Sequence, residues 1–138
     1  MTYPTLTPKD FNERGEGRFP GFLGIEILEV SQGLLRAKMD IRPEFFAPNG
    51  FLHAGSIVTL ADTVAGYATM AHLPENAKSF TTLELKSNFL GAARDGFIEC
   101  EARPEHMGRT TQVWKVDVRH GSSQKKVAVF SCTQLVLY

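Results

Sequence analysis

Cysteine is scarce in this sequence: only Cys100 and Cys132 occur among its 138 residues. Both fall in strand-like runs, so the chain has neither a disulfide framework nor a set of cysteine ligands typical of a zinc site. The sequence also allows one structural disulfide between these two cysteines. Two buried thiols in a reducing compartment are the plainer interpretation.

An excess of positive charge and a long apolar run are also lacking. The 15 Lys and Arg residues are balanced by 15 Asp and Glu residues, which argues against a nucleic-acid-binding protein. The first residues contain no apolar segment of the kind found in signal peptides. The longest mainly apolar run, residues 57–71, is too short to span a bilayer and contains Asp62. We therefore expect a cytoplasmic protein with no membrane partner.

The residues that are present predict one domain over 1–138, with 1–24 as a helical and loop lead-in. Thr7 and Pro8 are typical of the cap and first turn of a helix. Alternating apolar residues predict a hairpin over residues 25–41 with a turn at Gln32 and Gly33. The same pattern predicts strands over residues 80–90, 96–103, 110–119 and 126–138.

Residues 54–72 are predicted to form a helix that is apolar on nearly all sides and therefore needs cover. Successive strands joined by short turns form an antiparallel sheet, and a strongly curved sheet could wrap such a helix. The sequence therefore predicts an α+β fold in which one long central helix is held in an antiparallel sheet.

Asp62 stands in the middle of this apolar helix. No Lys or Arg occurs between residues 54 and 77, so the helix offers no cation for a local ion pair. A buried, unpaired carboxylate is costly, and it shifts its pKa or finds a partner elsewhere. Two interpretations stay open: a structural carboxylate bonded to an amide or to a hydroxyl such as that of Thr59, and a catalytic carboxylate facing a cavity.

The expected helix start contains small residues, Ala54 and Gly55. Amides of a first helical turn have no intrahelical acceptor and carry the positive end of the helix dipole. Small side chains let a ligand approach such amides, which can then form an oxyanion hole. An ordinary, closely packed helix entry is the alternative. His53, just before them, is more often a residue that hydrogen-bonds a helix end than a catalyst.

His53 and Asp62 are nine positions apart. At about 100° and about 1.5 Å per residue, they lie on opposite sides of the helix and about 13 Å apart. They cannot form a pair within one helix. A site that uses both needs a second copy of the chain, as in a two-fold dimer.

The segment from Asn49 to Thr63 resembles the signature of the PaaI-like hotdog thioesterases. This family includes the phenylacetate-degradation thioesterase and the 4-hydroxybenzoyl-CoA thioesterase of the Arthrobacter type. Its pattern, roughly G-x-L-H-G-G followed by a helix with L-A-D/E, is matched around His53 and Asp62. The element order also agrees over residues 20–138, and residues 82–90 resemble the strand after the helix.

The resemblance implies a hotdog fold and hydrolysis of an acyl-CoA thioester to a free acid and CoA, without a metal or an organic cofactor. Asp62 would be the nucleophile or the general base for water. The amide of Ala54, with Gly55 close behind, would polarise the thioester carbonyl, and His53 would orient the loop or the leaving group. Sites in this family lie between the subunits of a dimer, often within a tetramer, so the resemblance implies a homo-oligomer.

Other expected contributions are matched less closely. Thr82 best matches the Ser or Thr that places the water in some family members, and Thr81 is also open. Ala54 stands where the family usually has Gly, which leaves the amide intact. Ala47 stands where many members have Gln or Asn, so a carboxamide would have to come from Asn49 at a different point in the loop.

The phosphates of CoA call for basic residues at the site entrance. Arg109 and Arg94 are candidates, and a solvated turn residue is the alternative interpretation of each.

A hydratase or dehydratase of acyl thioesters on the same fold, which would pair His53 with Asp62 across a dimer, is a second hypothesis. A non-catalytic acyl-CoA sensor is a third. The acyl group stays open among aryl, arylacetyl and medium-chain groups.

Overall fold

One long helix lies against an antiparallel sheet of six strands in the computed structural model, which describes residues 6–138. A short 3₁₀ turn, Pro43–Phe45, lies in the loop before the long helix. In chain order the helices and strands are α1 (Pro8–Gly15), α2 (Phe19–Phe22), β1 (Glu26–Ser31), β2 (Leu34–Asp40), α3 (Ala54–Ala71), β3 (Ser79–Phe89), β4 (Phe97–Met107), β5 (Thr111–His120) and β6 (Lys126–Leu137).

The predicted start of the first helix is confirmed. The Thr7 hydroxyl accepts a hydrogen bond from the Asp10 amide, and the Asp10 carboxylate accepts one from the Thr7 amide, which is a capping box. Pro8 occupies the first turn, where its missing N–H costs nothing. The four-residue helix α2 was not predicted, because its Pro and Gly residues normally end helices.

The sheet has the strand order β1-β2-β4-β5-β6-β3, and every neighbouring pair is antiparallel. The predicted hairpin is confirmed as β1 and β2, and the predicted strands are confirmed as β3 to β6. The expectation that successive strands neighbour one another is right for β4, β5 and β6 but wrong for β3. That strand pairs with β6 and forms one edge of the sheet.

Helix α3 buries one face against the concave side of the sheet. Its Leu60, Val64 and Ala68 have no exposed surface, and they meet buried side chains such as Trp114 of β5. Burying such apolar side chains is the main source of the fold's stability.

Cys100 and Cys132 are free and buried, which confirms two buried thiols and excludes a disulfide between them. None of the described helices combines the length and apolar character that a bilayer crossing requires.

Candidate active site

The carboxylate of Asp62 is partly buried and has no partner. Its Oδ1 atom is buried without a hydrogen bond, and neither carboxylate oxygen bonds to a residue within 6–138. The Thr59 hydroxyl donates instead to the carbonyl of Gly55, at 2.7 Å, so the structural interpretation through Thr59 is wrong. Burial raises the pKa of Asp62 above its ordinary value. A carboxyl group in this state holds its proton more tightly than one in water.

Asp62 lies on the side of α3 that faces strand β3. Gly66, one turn further along, is so close to β3 that a Cβ there would lie 3.4 Å from the ring of Phe80. At the other end of the strand, Phe89 lines a cleft together with His53 at the start of α3. Strand β3 therefore runs back along the helix. Going forward along β3 from Phe80 to Thr82 therefore runs parallel to going backward along α3 from Gly66 to Asp62.

Strand β6 carries the third group near this carboxylate. Strand β6 packs against α3, and burial, and next the charge of Asp62, raise the pKa of its Cys132 thiol to about 12. Two residues along, Gln134 is fully buried, and its Oε1 accepts a hydrogen bond of 2.7 Å from the Thr82 hydroxyl. Its Nε2 has no partner among the described residues. The sequence did not single out Gln134, because alternation does not reveal which face of a strand is buried.

The alternative Thr81 faces away from the helix. The Cα atoms of Thr82 and Gln134 are paired across β3 and β6, and those of Thr81 and Leu135 are the neighbouring pair. Successive residues of a strand point to opposite faces, and Gln134 is on the buried face. Thr82 is therefore the threonine on the side of Asp62.

The start of α3 offers one unpartnered amide rather than two. His53 is the N-cap, and its Nδ1 accepts a hydrogen bond of 2.8 Å from the Gly55 amide. The Ser56 amide donates to the His53 carbonyl at 2.9 Å. Within residues 6–138 the amide of Ala54 has no acceptor. The expectation that Gly55 also presents a vacant amide is wrong, because the imidazole occupies it.

Two cavities flank the helix start. A cleft of about 410 Å³ has Asn49, Phe51, His53 and Ala54 in its lining, and Asn49 Oδ1 accepts a hydrogen bond from the Phe51 amide at 3.2 Å. Asn49 therefore shapes the loop beside the free amide. A second cavity, of about 450 Å³, lies on the other side and is lined by Phe19, Phe22, Leu23, Arg42, Glu44, Phe45, Gly55, Ser56 and Thr59.

The two candidate arginines lie at opposite ends of α3. The guanidinium of Arg94 stacks 4.7 Å from the ring centroid of Phe51, beside the cleft at the helix start. Arg109 lies with His72 at the end of the helix, and its carbonyl accepts a hydrogen bond from the Tyr138 hydroxyl. One chain therefore brings Arg94, and not Arg109, next to His53.

A Ser-His-Asp arrangement occurs outside these cavities and was not predicted. His120 Nδ1 is 3.0 Å from Ser123 Oγ, and its Nε2 is 3.2 Å from Asp95 Oδ1. The Ser123 hydroxyl also accepts from the Lys125 amide, and the Asp95 side chain is 89% exposed. A catalytic Asp of this kind is normally buried, so we interpret the arrangement as the bonding of a tight turn.

Within one chain, the candidate residues thus form two separate groups. The first comprises His53, the Ala54 amide and Asn49 at the helix start, and the second comprises Asp62 and Thr82 between α3 and β3. A central helix in a curved antiparallel sheet is the hotdog fold, and the chain is a thioesterase of that fold, a class of hydrolase.

The chain belongs to the Thioesterase superfamily, whose family model matches residues 49–127. It is 32% identical over 116 residues to the 1,4-dihydroxy-2-naphthoyl-CoA hydrolase of Escherichia coli, covering 82% of each chain. The solved thioesterase HI1161 of Haemophilus influenzae has a TM-score of 0.90 at 30% identity, covering 99% of this chain and 95% of that one. Thioesterase PA1618 of Pseudomonas aeruginosa has a TM-score of 0.90 at 28% identity, with 96% and 95% covered. The resemblance seen in the sequence is confirmed.

Proposed function

We propose that the protein hydrolyses an acyl-CoA thioester and that Asp62 is its catalytic carboxylate. The observation that carries this proposal is the partly buried, unpartnered carboxylate with a raised pKa on the side of α3 that faces β3. Groups with perturbed pKa values in clefts are good candidates for acid-base or nucleophilic roles. Above that pKa the carboxylate is ionised and either attacks the thioester carbon or removes a proton from the attacking water.

The start of α3 would stabilise the developing oxyanion. The amide of Ala54 donates to the carbonyl oxygen of the thioester, and the helix dipole favours the same negative charge. His53 holds the first turn through Nδ1, which leaves Nε2–H to face the carbonyl or the leaving sulfur. The C–S bond breaks, water supplies the oxygen of the free acid, and the leaving thiolate takes up a proton from water to give CoA.

Both groups would meet in a dimer. Strand β3 is a sheet edge of 11 residues, and it exposes the large side chains of Leu83, Leu85 and Phe89. An exposed apolar edge of this length is a ready site for pairing with another chain. We propose that two copies pair along β3, so that Asp62 of one protomer faces the helix start of its partner. Two such dimers could form a tetramer.

The acyl group would occupy the cavity of about 450 Å³. Gly55, Thr59 and Asp62 lie within about 60° of one another around the helix, so this cavity and the carboxylate share one side of α3. Phe19, Phe22 and Phe45 contribute aromatic walls to it. Because the E. coli relative is named for an aryl-CoA ester, we propose aryl-CoA esters as the first substrates to test.

We propose that Arg94 contacts the phosphates of CoA, since it lies beside the cleft at the helix start. Arg94→Ala should raise KM for an acyl-CoA severalfold and leave KM unchanged for the acyl N-acetylcysteamine ester, which has no phosphates. The same pair of substrates tests Arg109→Ala. Equal effects on both esters would exclude phosphate binding by the residue concerned.

The deciding experiment follows thiol release from benzoyl, phenylacetyl, 1,4-dihydroxy-2-naphthoyl and medium-chain CoA esters. We expect turnover by the native chain, a loss of about 10²- to 10⁴-fold in Asp62→Ala, and full activity in Asp40→Ala, which removes an exposed carboxylate at the end of β2. A folded Asp62→Ala variant with native rates would exclude this catalytic residue. Binding without any thiol release would favour a sensor, and hydration of an enoyl-CoA would favour a hydratase.

A further inference from the structure

We propose that Gln134 is a positioning residue for Asp62: its carboxamide, held by Thr82, donates to the buried oxygen Oδ1 of the carboxylate through one water or after a small side-chain rotation, since the two atoms are not bonded to each other as they stand. The inference rests on the catalytic role proposed for Asp62. It assigns a function to a strand residue outside the helix motif that carries the family resemblance.

The first support is that the two atoms need each other. Within residues 6–138, only three buried side-chain nitrogen or oxygen atoms have no hydrogen-bond partner, and two of them are Asp62 Oδ1 and Gln134 Nε2. One is an acceptor and the other a donor. A buried polar atom left unbonded is costly, so both atoms gain from a shared hydrogen bond.

The second support is their location. A Cβ at Gly66 would lie 3.4 Å from the ring of Phe80 of β3, and Asp62 lies one turn, about 6 Å, back along the helix from Gly66. Thr82 lies two residues, about 7 Å, along β3 in the same direction. Since Thr82 is bonded to Gln134, the carboxamide of Gln134 lies on β6 at the level of Asp62.

The third support is that the orientation of the carboxamide is fixed. The Thr82 hydroxyl donates to Oε1 of Gln134 at 2.7 Å, which leaves Nε2 as the free donor. Gln112, the Cα partner of Gln134 on β5, is equally buried but fully engaged. Its Nε2 donates to the His72 carbonyl, and its Oε1 accepts from the Trp114 indole. Only one glutamine of this cross-strand pair is therefore available to Asp62.

No charged group among residues 6–138 offsets the effect of burial on the pKa of Asp62. The rest of α3 carries no charged side chain, and the buried side chains of β2 and β5 that face the helix are uncharged. On β6 the Cys132 thiol is neutral, since its pKa is about 12. On β3 the charged group closest to Thr82 in sequence is Glu84, an anion that accepts a hydrogen bond from the Thr133 hydroxyl. A hydrogen bond donated by Gln134 would favour the ionised form of Asp62.

This bond would serve catalysis in two ways. A donor to a carboxylate favours the ionised form and so opposes the effect of burial on the pKa. It also fixes the carboxylate plane, so that the second oxygen, Oδ2, points to the thioester or to the attacking water. Thr82 would then act through Gln134 rather than by binding the water itself.

The test compares Gln134→Leu with Gln112→Leu, which removes the other glutamine of the pair. Both variants lose a buried carboxamide, so both should be less stable than the native chain. Only Gln134→Leu should lower kcat about tenfold with KM nearly unchanged, and move the acid limb of the pH–rate profile to higher pH by about one unit. Thr82→Val should act in the same direction with a smaller effect.

A second measurement does not depend on activity. The Asp62 carboxyl carbon, assigned by its loss in Asp62→Asn, is titrated by NMR in the native chain and in both leucine variants. The proposal is overturned if the pKa of Asp62 is the same in all three, or if both leucine variants shift it equally. If the native chain hydrolyses no thioester but Gln134→Leu alone raises this pKa, the proposed reaction fails and the pairing stands.

Discussion

The imidazole of His53 accepts a hydrogen bond from the amide of Gly55, with 2.8 Å between Nδ1 and the amide nitrogen. The contact explains the glycine, because a Cβ at position 55 would lie 2.9 Å from the same Nδ1. It also separates two tasks. Nδ1 caps the helix, whereas Nε2 and the neighbouring amide of Ala54 stay available for the roles proposed above.

These two tasks of His53 can be separated by substitution. Asn at an N-cap accepts a hydrogen bond from the same first turn, so His53→Asn should unfold with nearly native free energy. His53→Ala should lose about 1 kcal/mol. Both variants lose the Nε2 donor, and both should lose thioesterase activity by a similar factor. Urea unfolding and initial rates measure the two effects, and activity that instead follows stability would assign His53 to the helix end alone.

The amide of Ala54 can be removed without removing the helix. Ala54 is the first helical residue and His53 before it is extended, with φ −60° and ψ 135°, a conformation that suits the residue before a proline. Ala54→Pro should therefore fold and lose about 10²- to 10³-fold in kcat, the usual cost of one oxyanion donor. Ala54→Gly keeps the N–H and should stay close to native. Full activity in a folded Ala54→Pro protein would place the oxyanion elsewhere.

Helix α3 and the strands were predictable because their signals are local. The run from Ala54 onwards has the period of a helix, and each strand alternates with a period of two. The position of β3 beside β6 was not predictable, since pairing between distant segments depends on packing that no short pattern encodes. The expectation that strands consecutive in sequence are neighbours in the sheet failed only for β3, because the chain crosses from α3 to the far edge of the sheet.

The residues of the candidate site were likewise predictable only where their signal is local in the sequence. Asp62 was recognised because a charge without a counter-charge is visible in an apolar helix. Gln134 was missed because Gln134 and Thr133 look alike in an alternating strand until the buried face is known. The capture of the Gly55 amide by His53 was missed because it depends on the rotamer of one side chain.

Asp62 should make the protein less stable at neutral pH than it is with a neutral side chain. Burial raises the pKa of Asp62 in the folded state above its unfolded value. The carboxyl group's contribution to stability is therefore fully present below the unfolded pKa and is lost as pH rises through the folded pKa. Asp62→Asn, which has no charge to bury, should gain stability over the native chain at pH 7 to 8 and not at pH 3.

Urea unfolding at several pH values measures this difference. Asp40→Asn, which changes an exposed carboxylate, is the matched control and should show no such trend. A gain of Asp62→Asn that is independent of pH would mean that Asp62 is not desolvated in the assembled protein. The gain in stability should accompany the loss of activity, as expected when a costly group is retained for catalysis.

A site shared between protomers should be restored by mixing two inactive variants. Asp62→Ala lacks the carboxylate and Ala54→Pro lacks the amide, so each homodimer has two defective sites. In a mixed dimer, one site receives both defects and the other receives neither. After unfolding and joint refolding, half of the dimers are mixed and each has one intact site, so about one quarter of native activity should return.

The control for this experiment is the double variant mixed with the native chain. If the two groups come from different protomers, each mixed dimer of this control has one defect in each of its two sites. The total activity should then fall below the amount expected if every mixed dimer kept one intact site beside the fully active native homodimers. If both groups come from the same protomer, the mixed single variants regain nothing. The opposite position of His53 and Asp62 around α3, half a turn apart and about 13 Å along its axis, makes the first outcome the expected one.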